Sequence, residues 1–251
     1  MKKISFLRAF ILLIAASFAS SADAQVTNAV YSVNIIGMQK IAVSSNLAIR
    51  SNPFQSALIG DVAGKSGRAS SFSTIADNIQ IFNATNQSYV TYFLGSNATL
   101  GAHWRLGSTP QTNFYLPPGV GYFYRSRSTT PWTNTIVGDV VLAPAITNII
   151  RPGLNLLSYP YSVSRNLTNL NLKFGRASSF STVADNLMIF NTSNQSYTTY
   201  FLGSNATLGV HWRLGGSAVT NLILEPGAGF FYRSRLTNIV NWIETSPYPE
   251  L

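Results

Sequence analysis

The chain has no cysteine. That absence excludes disulfides, thiolate nucleophiles and cysteine-ligated zinc together. Stability must then come from core burial, and a chain of 251 residues can bury roughly two thirds of its unfolded surface. Charge is also scarce, at 10% Asp, Glu, Lys and Arg. The cations are scattered rather than clustered on one element, so no nucleic-acid partner is expected. Only two histidines occur, His103 and His211. Zinc sites take three or four ligands, so neither a metal nor a cofactor is expected. The one long apolar run, residues 9–18, is shorter than the roughly 20 residues of helix that span a bilayer.

That short run has another meaning. Lys2, Lys3 and Arg8 precede it, and Ala22-Asp23-Ala24 follows. This is the layout of a secretory signal peptide with an A-x-A cleavage site. Residues 1–24 are therefore expected to be a signal peptide, and the mature chain to be secreted or otherwise extracytoplasmic. No cysteine stands at the site for a lipid anchor, and no integral membrane segment is expected in the mature chain. Removing residues 1–24 leaves 14 basic and 7 acidic residues, and 11 of the 14 cations are arginine. Arginine suits planar, bidentate contacts with carboxylate, sulfate or phosphate.

An internal repeat sets the organisation. Residues 67–107 recur at 175–215 with seven differences in 41 positions. The match continues more loosely through residues 116–127 and 224–235. Two repeats are expected, at 25–135 and 136–251. Short runs of aromatic and branched residues are separated by Gly, Asn, Ser and Pro, which is a strand pattern. Strands are expected at 31–36, 40–43, 79–82, 89–94, 103–106, 114–116 and 121–125, and in the second copy at 187–190, 197–202, 211–214, 222–224 and 229–233. Residues 71–77 suit one helical turn opened by a serine. Pro118-Gly119 and Pro226-Gly227 suit tight turns. The expected fold is all-β: two tandem homologous β-sandwich or barrel-like repeats after the signal peptide.

Certain residues also carry a family resemblance. They are Val30-Tyr-Ser-Val-Asn-Ile-Ile-Gly37, Asn155-Leu-Leu-Ser-Tyr-Pro160, Ala184-Asp-Asn-Leu-Met-Ile-Phe190, the single Trp104 and Trp212, and the Pro-Gly-x-Gly-aromatic segments at 118–123 and 226–231. Together they resemble a paralogous group of exported β-repeat proteins of Verrucomicrobia and related bacteria. The resemblance covers nearly the whole mature chain. It implies export and a β-repeat, and no particular activity. Two departures stand out: Met38 where a tyrosine often follows the opening glycine, and Arg50 where the group's motif is apolar.

Enzymatic constellations are thin. A glycosidase needs two carboxyls about 5–10 Å apart, and only Asp77 and Asp185 recur between copies. Both stand in Ala-Asp-Asn before a strand, which also suits a turn or cap. No G-x-S-x-G or S-x-x-K motif is present. Gly60-Asp-Val-Ala-Gly64-Lys65-Ser66 has three residues between its glycines where a phosphate loop has four.

Binding residues are better candidates. Arg125 with Arg127, and Arg233 with Arg235, alternate so as to share one strand face. They could grip sulfated or carboxylated polymers. Tyr89, Tyr197, Trp104 and Trp212 could stack on sugars, although aromatics in β-repeats also serve as core. Asn83-Ala-Thr85 and Asn97-Ala-Thr99 read as polar turns. The expectation is a non-enzymatic exported protein acting through its surface. Its partners would be acidic glycans, cell-envelope components or other copies of itself. The alternative is a polysaccharide-active enzyme using Asp77 or Asp185.

Overall fold

The computed structural model describes residues 35–248. The expected signal peptide, and residues 31–34 of the first expected strand, lie outside them. The described residues form one compact unit, and its architecture is all-β.

The first copy opens with β1 (Ile36–Val43) and β2 (Leu47–Ser51). It continues through β3 (Ala57–Leu58), helix α1 (Ile59–Ala63), β4 (Asn78–Asn83), β5 (Ser88–Asn97), β6 (Gly101–Leu106) and β7 (Thr109–Pro110). It ends with β8 (Tyr115–Leu116), β9 (Gly121–Arg125) and β10 (Trp132–Asp139). The second copy repeats this order with β11 (Ala145–Ile150), β12 (Gly153–Ser158), β13 (Arg165–Asn166) and a 3-10 turn at Leu167–Asn169. Then come β14 (Asn186–Asn191), β15 (Ser196–Asn205), β16 (Gly209–Leu214), β17 (Ser217–Ala218), β18 (Ile223–Leu224), β19 (Gly229–Ser234) and β20 (Val240–Thr245).

Each copy has one antiparallel six-stranded sheet, ordered β2-β9-β4-β5-β6-β7 or β12-β19-β14-β15-β16-β17. The first and last long strands of each copy form a separate ribbon, β1 with β10 and β11 with β20. Residue 135 lies inside β10, so the structural copies run over 36–139 and 145–245. Gly37 and Gly138 are register partners within the first ribbon.

The duplicated turns follow simple local chemistry. Asn83 Oδ1 accepts from Thr85 N at 2.9 Å, and Asn97 Oδ1 accepts from Thr99 N at 3.0 Å and Leu100 N at 2.7 Å. These side chains supply the bonds that close the β4–β5 and β5–β6 turns. Residues 71–76 form turns only, with Ser70 Oγ accepting from Phe72 N at 3.1 Å.

Side chains alternate across a strand, so β9 has two working faces. Tyr122 and Tyr124 point into the first copy's own core with Ile79, Leu94 and Trp104, beneath Ile59 and Val62 of α1 and Ile136 of β10. Phe123 points the opposite way and meets Phe231 and Leu156 of the second copy. The two six-stranded sheets thus pack against each other through a shared aromatic layer. Phe231 lies 5.5 Å from Phe82 and 5.8 Å from Phe123, ring centre to ring centre, and Phe123 lies 6.0 Å from Phe190. Burying each such ring stabilises by about 2–3 kcal/mol.

The seam is reciprocal. Ser51 N donates to Gly227 O at 2.9 Å, and Ser158 N to Gly119 O at 3.0 Å. Antiparallel bridges join Arg50 to Ala228 and Val120 to Leu157. Glycine is needed at its centre: a Cβ on Gly229 would lie 2.4 Å from Ile49, and one on Gly121 would lie 2.9 Å from the Leu157 carbonyl oxygen.

Candidate functional site

The two repeated carboxylates are buried. Asp77 is 0% exposed, as is Asp185. Asp77 Oδ2 accepts from Tyr124 Oη at 2.8 Å and Ser126 Oγ at 3.3 Å, and its Oδ1 accepts from Arg127 N at 2.6 Å. Asp185 accepts from Tyr232 Oη at 2.6 Å and Arg235 N at 2.7 Å. Burial, reinforced by the neighbouring carboxylate, pushes the Tyr124 and Tyr232 hydroxyls well above the ordinary tyrosine range. Gly67 and Gly175 pass so close that a Cβ on either would lie 2.1 Å from the carboxylate oxygen. These groups lock the 67–77 and 175–185 loops onto the ends of β9 and β19. Neither exposes an oxygen to solvent.

The candidate aromatics divide into two sets. Trp104 and Trp212 are 1% and 0% exposed. Each packs edge-on against the core tyrosine of its own copy, Tyr124 or Tyr232. Trp104 Nε1 also donates to Gly64 O at 3.0 Å. Stacking of either tryptophan on a dissolved sugar is therefore corrected: both are core residues, because they point to the covered face of β6 and β16. Tyr89 and Tyr197 remain about half exposed at the rim of the aromatic seam. Tyr89 packs on Phe82 at 5.0 Å, and Tyr197 on Phe190 at 5.0 Å. Burial pushes the Tyr197 hydroxyl up to about 12.

The histidines follow the same alternation. His103 and His211 lie on the face opposite their tryptophans. Each Nδ1 sits 2.9 Å from a backbone oxygen, that of Gly101 or Gly209. Among the described residues no three His, Asp or Glu side chains gather as a metal site.

The arginines form a convergent charged feature among the described residues. β9 ends at Arg125, so Arg127 lies beyond the strand, where its backbone bond to Asp77 orients it. The expectation that both share one strand face is corrected to this extent. Both nonetheless line one cleft of about 440 Å³, together with Arg68 from the duplicated loop. Polar groups of Ser45 and Asn46 complete the wall, and Gln195 enters it from the other copy. No carboxylate lines the cleft, and Asp77 behind it is turned inward to its three donors. Arg127 Nε is buried without a hydrogen-bond partner, as is Arg235 Nε in the second copy.

Arg68 and Gln195 were not among the residues expected from sequence. The signal for Arg68 was its recurrence as Arg176, whereas Gln195 enters only because the copies pack face to face. No helix among the described residues is long and apolar enough to cross a membrane. No family model, curated protein or solved structure matches the chain.

Proposed function

We propose that this is an exported, non-enzymatic β-repeat protein that acts by surface contact with acidic glycans of the cell envelope or its surroundings. The observation that carries this reading is the convergence of Arg68, Arg125 and Arg127 on one cleft free of carboxylates. Guanidinium forks bind oxyanions through paired, charge-assisted hydrogen bonds. The signal-peptide pattern at residues 1–24 and the resemblance to exported bacterial repeat proteins support an extracytoplasmic location. The burial of Asp77 and Asp185 weighs against the hydrolase alternative.

The test is affinity electrophoresis of the purified protein through neutral and acidic polysaccharides. Retardation by the acidic polymers is expected, falling as salt screens the charges. The Arg125→Ala/Arg233→Ala variant should bind at least about tenfold more weakly, corresponding to roughly 1.4 kcal/mol. Equal migration in all gels would overturn the reading, and release of reducing ends from any polymer would overturn its non-enzymatic part.

A further inference from the structure

Phe72 and Phe180 are the two most exposed aromatic side chains among the described residues, at 68% and 70%. Their backbone is nevertheless held firmly. Phe72 N donates to Ser70 Oγ at 3.1 Å, and the Phe72 carbonyl accepts from Ile75 N at 3.3 Å and Ala76 N at 3.2 Å. Ser178, Phe180, Val183 and Ala184 repeat these bonds at 3.1, 3.2 and 3.2 Å. The loop is fastened to the sheet by Ser70 N to Leu94 O and Leu94 N to Asp77 O, and closed on itself by Asp77 N to Arg68 O. An anchored turn that leaves a phenylalanine in water forgoes about 2 kcal/mol of available burial. The same turn supplies Thr74 and Ile75 to the arginine cleft, and Arg68 stands at its start. An apolar ring and a cationic pocket therefore share one rigid loop.

We propose that each copy carries a two-part subsite for a sulfated polysaccharide. Phe72 or Phe180 stacks on the apolar face of a sugar ring. Arg68, Arg125 and Arg127, or their counterparts Arg176, Arg233 and Arg235, take the sulfate ester. This rests on the acidic-glycan reading and narrows it. A sulfate ester presents three free oxygens, one for each guanidinium, whereas a carboxylate presents two. Beside Leu47 and Ile75, most of the cleft wall is hydroxyl, amide and guanidinium, which suits a hydrated polymer better than a bilayer. In the second copy Asp185 holds Arg235 N as Asp77 holds Arg127 N.

Calorimetry and sedimentation on the full protein test this with four probes: dextran sulfate, unsulfated dextran, sodium sulfate and phosphatidylglycerol vesicles. Dextran sulfate should bind and unsulfated dextran should not. Phe72→Ala/Phe180→Ala should weaken dextran sulfate binding about tenfold while leaving sodium sulfate binding unchanged. Arg68→Ala/Arg176→Ala should weaken both. All four positions are exposed, so matching thermal transitions will show that the variants fold. Unchanged dextran sulfate affinity in the phenylalanine variant overturns this inference and leaves the glycan reading standing. Phenylalanine-dependent binding to vesicles without any to dextran sulfate overturns it in favour of a membrane surface. Failure of the unaltered protein to bind dextran sulfate or any other acidic polysaccharide overturns the glycan reading itself.

Discussion

The first copy buries a cation where the second buries a leucine, and the second buries an anion where the first buries an isoleucine. Arg50 on β2 corresponds to Leu157 on β12, and Glu244 on β20 to Ile136 on β10, because their register partners on β9 and β19, or β1 and β11, correspond. Arg50 is 6% exposed, with its guanidinium 4.7 Å over the Tyr124 ring and Nη2 donating to Ala42 O at 3.3 Å. Glu244 is 1% exposed, with Oε1 accepting from Trp242 Nε1 at 2.7 Å and Asn171 N at 2.6 Å. The Arg50 and Glu244 side chains each face the interior of their own copy, so each could change without disturbing the other copy. The central strands cannot drift as freely, since their outer faces must fit each other across the seam.

The largest contrast between copies should come from the buried carboxylates. Asp77→Ala strips acceptors from three donors and Asp185→Ala from two. The first should cost about 3–5 kcal/mol and the second about 1 kcal/mol less. Urea denaturation of both variants checks this, and an equal or larger loss for Asp185→Ala would show that donor count does not set the cost.

Next in size is Arg50→Leu, which installs the second copy's residue in the first. Burial lowers the Arg50 pKa from its ordinary 12.5, and Nη1 has no hydrogen-bond partner. Removing the buried charge should raise stability by about 1–2 kcal/mol despite the lost stacking on Tyr124. A lower melting temperature for the variant would mean that this stacking outweighs the burial cost.

The smallest effect is a pH dependence confined to the second copy. Burial holds the Glu244 carboxyl above its ordinary 4.5, against the opposing pull of its bonds to Trp242 and Asn171. The folded state therefore favours the protonated acid. That contribution is fully present below pH 4.5 and is lost as pH rises through the elevated folded value. Glu244→Gln keeps an oxygen for both donors but does not titrate. It should match the unaltered protein at acid pH and exceed it at neutral pH. Parallel stability curves across that window would rule this out.

Much of the central sheet was legible because its strands are aromatic, short and copied. The expected strand at 121–125 coincides with β9, and that at 229–233 lies within β19. What β9 packs against was not legible. Gly-Tyr-Phe-Tyr-Arg is apolar on both faces, and such a run states burial without naming the partner for each face. The same ambiguity placed Trp104 and Tyr89 together as surface candidates, although one faces the core and the other the seam. The ribbon strand β10 alternates apolar and polar residues, yet it was divided because the sequence match fades after residue 127. Arg125 and Arg127 were recognisable as a pair, but their third member comes from a loop 57 residues earlier and depends on the Asp77 anchor for its position.

Gln87 and Gln195 share a backbone φ of 53°, uncommon for a residue with a side chain. Gln87 Nε2 donates to Leu154 O at 3.1 Å, and Leu154 N donates to Gln87 Oε1 at 2.9 Å. Gln195 Nε2 donates to Leu47 O at 3.0 Å. A side-chain amide here makes the bonds that a neighbouring strand's peptide group would make. β2 and β12 are terminal strands of their sheets, where unpaired backbone invites pairing with foreign chains. The glutamines act as plugs on those ends. Each hairpin tip thus occupies backbone groups on the terminal strand of the other copy, and those bonds exist only while both copies remain in place.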